Sequence, residues 1–176
     1  MMTGKSVNRL DAIAKVTGRA EYTQDFYKPD MLVAKYVRSS IAHGKVKSID
    51  VKEARALKGV EAIFTFEDVP KNKFSTSGQP YSLDPDHRDK EDRLLLTRDV
   101  RFFGDEIAIV VAQDEIIANS ALSLININYE EYKALISPDD ILADDARKIH
   151  EGSSNILGEH EYEVGGHVEE AFKSSD

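Results

Sequence analysis

The sequence contains no cysteine and no tryptophan. The first absence removes disulfides, cysteine-ligated zinc, iron–sulfur ligation and a thiol nucleophile together, and it accords with a reducing compartment. Bases are also scarce, with 23 lysines and arginines against 32 acids and a net charge of −9. Nucleic-acid binding needs a basic face to neutralise phosphates, so that class of partner is disfavoured. No apolar run approaches the roughly 20 residues that span a bilayer. The opening MMTGKSVNRLD has no apolar core of a signal peptide, and a cytoplasmic protein is the resulting expectation. The dinucleotide fingerprint GxGxxG is missing as well. Gly4-Lys5-Ser6 has the ending of a phosphate-binding loop, without the earlier glycine and preceding strand that such a loop requires.

What is present suits a globular domain. With 176 residues, 41% of them hydrophobic, the chain is long enough for one domain or one domain and a fragment. At this size roughly 70% of the unfolded chain's surface can be buried. After a turn at Thr17-Gly18 and a short strand candidate around Ala20–Thr23, MLVAKYVRSS carries apolar residues on both faces, which reads as an interior strand. KVKSIDV alternates less cleanly and reads as a strand near an edge. Asp50 and Glu53 have capping-box spacing before a helix VKEARALK, which Gly59 ends. The strand VEAIFTF completes a strand–helix–strand unit. Lys71 to Arg93 is a long loop containing Gly78, Pro80, Pro85 and the mixed-charge run DPDHRDKEDR.

A second strand–helix–strand unit follows. EIAIVVA is almost continuously aliphatic, as a strand covered on both faces should be. Asp114 caps a helix EIIANSALSLI, whose Ile117, Ala121, Leu124 and Ile125 share one face. Ile125, Ile127 and Tyr129 then alternate with Asn126, Asn128 and Glu130, the period of a half-buried strand. Ser137-Pro138 opens a short helix ending near Leu142. The two units predict an α+β domain with helices packed on a mixed sheet. Beyond His150-Glu151-Gly152 the chain turns Gly- and Glu-rich, and EHEYEVGGHVEEAFKSSD finishes without a strand. Residues 1–152 therefore read as one domain, and 153–176 as a linker and the truncated start of another.

Few residue groups invite a chemical role. His160 and His167 lie among acids in the tail, and His43, His87 and His150 are scattered, so no set shares a helical face as metal ligands would. There is no GxSxG elbow, and Ser39 and Ser40 near His43 lie on a loop that cannot by itself fix a nucleophile against a base. Asp105 and Glu106 in RFFGDEIAIVVAQD are the remaining candidates. An acid–base pair needs a cleft and opposed pKa shifts; the plainer reading makes Gly104 a turn and the two acids a solvated strand entry. On that reading Asp105→Asn or Glu106→Gln leaves stability nearly unchanged. No residue is assigned a catalytic, cofactor-binding or metal-binding role.

The ordered set GKSVNRLDAIAKVTGRAEYTQDF, MLVAKYVRSSIAHGKVKSID and VRFFGDEIAIVVA, followed by a helix and INYEEY, resembles the a/b hammerhead domain. That domain is the amino-terminal part of the large subunit in the xanthine dehydrogenase and aldehyde oxidase family of molybdenum hydroxylases. The resemblance runs from Gly4 to about Gly152, and KFSTSGQPYSLDPDHRD is similar to bacterial xanthine dehydrogenase molybdenum-binding subunits. The family often has Pro where Ser40 stands, Ala at Gly44, and Pro or Ala at Glu106. GGHVEEAF is similar to the lead-in to the family's first molybdenum-binding domain.

The resemblance implies a structural domain of an enzyme that hydroxylates a purine or related N-heterocycle with oxygen from water. Electrons would pass through 2Fe-2S centres to FAD and NAD. In the family, molybdopterin contacts and the glutamate base lie in later domains, so this chain is expected to hold no cofactor and to be inactive alone. Its expected partners are the molybdenum-binding domains of the same subunit and the iron–sulfur and FAD subunits, in an oligomeric complex. Two alternatives stand beside this: a freestanding interaction module of the same fold, and the same domain from an aldehyde, nicotinate, carbon monoxide or hydroxybenzoyl-CoA oxidoreductase.

Overall fold

The computed structural model describes residues 4–76, 83, 89–152, 154–156 and 164–175. Six strands and five short α-helices form the described part. Strands β1 (Val33–Arg38), β3 (Val60–Thr65) and β5 (Glu106–Ala112) form one sheet in the order β1-β5-β3. Strands β2 (Gly44–Asp50), β4 (Asp99–Val100) and β6 (Asn126–Glu131) form a second, in the order β4-β2-β6. All pairings among the described strands are antiparallel. The α+β class and both strand–helix–strand units stand, but the mixed sheet resolves into two antiparallel ones. The reason lies in the crossovers. Helices α2 (Lys52–Ala56) and α3 (Glu115–Ser123) each carry the chain from one sheet to the other, so the two strands of a unit never become parallel neighbours.

The units interlock. β2 of the first pairs with β6 of the second, while β3 of the first pairs with β5 of the second. Helices α2 and α3 pack on each other and on the β1-β5-β3 sheet. Val37, Ala54, Ile63, Ala108, Val110 and Ala121 fill the space between. Alanines on both sides of that contact let helix and sheet approach closely. Val46, Val100 and Ile107 form a second cluster beside the β4-β2-β6 sheet. Alternate residues of β5 serve the two clusters, Ala108 and Val110 the first and Ile107 the second, which is why EIAIVVA is apolar on both faces.

Strand positions were legible, but their places in the sheets were not. β1 is an edge rather than an interior strand, with Tyr36 exposed. β2, read as near an edge, is central, and Gly44 pairs with Val100 on one side and Glu131 on the other. Alternation reports which side-chain faces are covered; it carries no information about whether both backbone edges are paired. Gly44 has a reason of its own, since a Cβ there would lie 2.3 Å from the Glu130 carbonyl oxygen.

Caps and turns show the same mixture. Asp114 caps α3 by accepting from the Ile117 amide at 2.7 Å. Ser137 opens α4 (Pro138–Leu142) in a reciprocal capping box with Asp140. The box at Asp50 and Glu53 does not form: Asp50 ends β2, and its carboxylate takes only the Lys52 amide, at 3.0 Å. The strand candidate at Ala20–Thr23 is likewise absent. Its end is a 3-10 turn, Thr23–Asp25, with the Asp25 carboxylate accepting from the Tyr22 amide at 2.7 Å. Helices α1 (Ala12–Val16) and α5 (Val168–Lys173) were not anticipated, and neither buries a residue.

Candidate functional site

The turn from Arg101 to Asp105 is folded by its own polar groups. Gly104 has φ +91°, a left-handed conformation suited to glycine, and donates its amide to the Ser39 carbonyl at 3.0 Å. Ser39 returns its amide to the Asp105 carbonyl at 2.9 Å. The Asp105 side chain, only 2% exposed, accepts from the amides of Arg101 and Glu106, each at 3.1 Å. This corrects the solvated strand entry read from the sequence. An aspartate next to a turn can fold its carboxylate onto the turn's own amides, and those bonds together with a nearby arginine make burial tolerable.

That arginine is Arg93, twelve positions upstream of Asp105. Its guanidinium lies 3.4 Å from the Asp105 carboxylate, 2.6 Å from that of Glu106, and over the Phe102 ring at 4.8 Å from the centroid. Arg38, from the end of β1, meets the other Glu106 oxygen at 2.7 Å and donates to the Gly104 carbonyl at 2.9 Å. Burial raises the Asp105 pKa above its ordinary value, against the lowering influence of the Arg101 amide and the Arg93 charge. The two carboxylates and two arginines thus close on one another. Arg93 also exchanges both backbone hydrogen bonds with Phe74, which fastens the two ends of the Lys71–Arg93 excursion to each other and to this corner.

Beside the corner lies an open cleft of about 210 Å³, bordered by His43, Arg101, Phe102, Phe103 and Ile136. His43 is buried, its Nδ1 3.1 Å from the Lys133 carbonyl and its ring edge-on to Tyr132. It does not meet Ser39, whose hydroxyl donates to the Ile41 carbonyl at 2.7 Å and so closes a local turn. Ser40 is exposed. His150 lies 3.4 Å from Asp92; burial, then the charge of Arg101, lowers its pKa, which favours the neutral ring. His167 is exposed beside Glu170, and Gly4-Lys5-Ser6 is exposed near the start. His87 and His160 lie outside the described residues. Among the described residues no group of three or more His, Asp or Glu side chains is placed to hold a metal ion. Chemically, the corner can hold a shape: each carboxylate oxygen that a substrate proton would need already faces an amide or a guanidinium.

The sequence could not have assembled this corner, because Arg38, Arg93 and Asp105 come from three distant places with no common spacing. The one local signal was an Asp following a glycine turn, which suits side-chain capture of turn amides.

The described residues thus form two interlocked strand–helix–strand units, pinned at one corner by mutually satisfied charges. Residues 17–133 match the family described as the aldehyde oxidase and xanthine dehydrogenase a/b hammerhead domain, and the chain belongs to that family. It is 49% identical to the xanthine dehydrogenase molybdenum-binding subunit of Escherichia coli O157:H7 over 96% of this chain and 22% of that protein. It is 35% identical to the nicotinate dehydrogenase large molybdopterin subunit of Eubacterium barkeri, over 98% of this chain and 38% of the relative. Among solved structures, the aldehyde oxidoreductase of Desulfovibrio desulfuricans superposes with a TM-score of 0.75 at 30% identity, over 87% of this chain and 17% of that one. The chain thus spans about a fifth of the first of these relatives.

Proposed function

We propose that this chain is the amino-terminal structural domain of a molybdenum hydroxylase large subunit acting on a purine or a related N-heterocycle. The observation carrying the reading is the 49% identity to a xanthine dehydrogenase molybdenum-binding subunit along 96% of the chain. The complete enzyme would place an oxygen from water on the heterocycle and pass the electrons to 2Fe-2S centres, FAD and NAD in a cytoplasmic, oligomeric complex. We assign residues 1–152 to the hammerhead domain and 153–176 to the lead-in to the next domain. That handover is not abrupt, since the Asn155 side chain still bonds the Ile149 amide and the Arg147 carbonyl at 3.0 and 3.1 Å.

The corner offers neither thiolates for an iron–sulfur centre nor an unengaged arginine for a cofactor phosphate. Iron–sulfur ligation needs thiolates, and the chain has no cysteine. The side chains of the corner that could bind an anion, Arg38 and Arg93, are engaged by Glu106 and Asp105. No chemical step is therefore assigned to this chain. Its contribution is rigidity: the corner holds β1, β5 and the end of the long loop in fixed relation.

The test is expression of the full-length subunit with its partner subunits. Hypoxanthine oxidation with a stoichiometric molybdenum content is the expected result. Turnover of nicotinate or aldehydes without turnover of purines would reassign the substrate, and molybdenum retained by residues 1–176 alone would overturn the structural role.

A further inference from the structure

We propose that the cleft beside the corner is a binding site for a small aromatic carboxylate, held by the Nε–Nη2 edge of Arg101. The inference goes beyond the large-subunit reading and does not depend on it. The corner's own arginines are neutralised, since Arg38 and Arg93 pair with Glu106 and Asp105. Arg101, on the cleft side, is different: among the described residues no carboxylate pairs with its guanidinium. Its Nη1 donates to the Asp92 main-chain carbonyl at 2.9 Å, while the Asp92 carboxylate lies against His150. The Asp105 carboxylate meets Arg101 only at the backbone amide. Arg101 Nε is shielded from solvent and has no acceptor. A shielded donor without a partner bears its whole desolvation cost, and a charged one bears more.

The cleft's chemistry selects the guest. With Nη1 occupied, the Nε–Nη2 edge still offers two parallel donors, the arrangement a carboxylate matches with its two oxygens. Phe102, Phe103, Ile136 and Ile149 line the remaining wall, which favours a flat apolar body over a fully hydrated ion. At about 210 Å³ the cleft is smaller than the roughly 300–1,000 Å³ of drug-sized ligand sites, so the guest is a single ring. Because Nε is shielded, the carboxylate reaches it only as a wall side chain turns. Phe103 and Ile136, 71% and 85% exposed, are the wall residues with room to do so.

Photolabelling with 4-azidobenzoate tests the site in the full-length protein isolated with its partners, because peptide mapping locates the bound reagent. Labelling should saturate, fall on the peptides holding Phe102 and Phe103 or Ile136 and Ile149, and be displaced by benzoate. Benzamide has the same shape without the charge and should compete at least about tenfold more weakly, as expected for loss of a charge-assisted pair. Arg101→Gln should weaken labelling on the order of tenfold for the same reason. Phe103→Ala removes an exposed ring and should weaken it several-fold, which keeps the test decisive if the arginine variant does not fold. Labelling confined to other peptides, labelling that never saturates, or equal competition by benzamide would overturn the proposal. Sulfate competing as well as benzoate would make the cleft a site for inorganic anions and overturn the aromatic class. No labelling of the cleft peptides in the full-length protein would mean that the protein's own residues fill the cleft, which also overturns it.

Discussion

Val110 and Leu10 are both branched aliphatic residues, yet one is fully buried at the centre of β5 and the other fully exposed in the turn before α1. The contrast extends to their surroundings. Val110 has Lys35 and Ile63 as register partners on either side and lies in the cluster beneath α2 and α3. Leu10 has an apolar pattern around it and no facing element. Hydrophobic spacing declares which face of an element is meant to be covered, and only a second element can do the covering. In the body that second element belongs to this chain. In residues 4–32 no described residue is buried.

The contrast can be broken most severely at its buried end. Val110→Asp places an unpaired carboxylate in the β5 core and should cost several kcal/mol, enough to abolish the cooperative unfolding transition seen by circular dichroism. Asp105→Asn comes next. The amide has one accepting oxygen where the carboxylate has two, so either the Arg101 or the Glu106 amide loses its partner, and urea denaturation should show a loss of about 1–3 kcal/mol.

The pH dependence of that difference sharpens the assignment. Folding raises the Asp105 pKa above 3.8, so its ionisation state favours the native protein below that value, and the benefit is lost as pH climbs through the raised value. The asparagine variant lacks this slope. Asp140 works in the opposite sense: Lys133 and Ser137 hold its pKa down to about 2, so its contribution is present above 3.8 and disappears as pH falls towards 2. Urea midpoints measured across this range for both proteins isolate the Asp105 component.

Gly44→Ala forces a methyl against the Glu130 carbonyl, and because that atom is backbone, β6 must shift. A loss of about 1–3 kcal/mol in chemical denaturation is expected. The smallest effect falls at the other end of the comparison. In residues 1–176 alone, the triple serine substitution at Leu10, Ile13 and Val16 should leave stability within about 0.5 kcal/mol of the parent, because those side chains are largely exposed there. A larger loss would show that residues 4–32 pack on the body.

Much of the architecture was legible before any coordinates. The aliphatic run of β5, the period change at Ile125, and the caps at Asp114 and Ser137 are local signals, and each fell where its pattern pointed. β4 is two residues long and has no period to read. The exchange of edge and central roles between β1 and β2 was hidden because side-chain alternation is silent about backbone pairing. Asp105 was misjudged for a related reason. Its burial depends on Arg93 and on amides that face it only once the turn has formed, and a carboxylate without visible partners reads as solvated.

The interlocking of the two strand–helix–strand units has a consequence for how the molecule is made. Each sheet takes strands from both units, so neither unit contains a complete sheet. β2 must wait for β6, and β3 for β5, across long stretches of chain. Such pairings give a high contact order, and loop closure has to precede the contacts that compensate for it. During synthesis, Gly44 to Asp50 emerges well before Asn126 to Glu131, and the ribosome must release the end of β6 before the second sheet can close. Until then β2 can pair only with the two-residue β4, and most of its backbone hydrogen-bonding edge stays open.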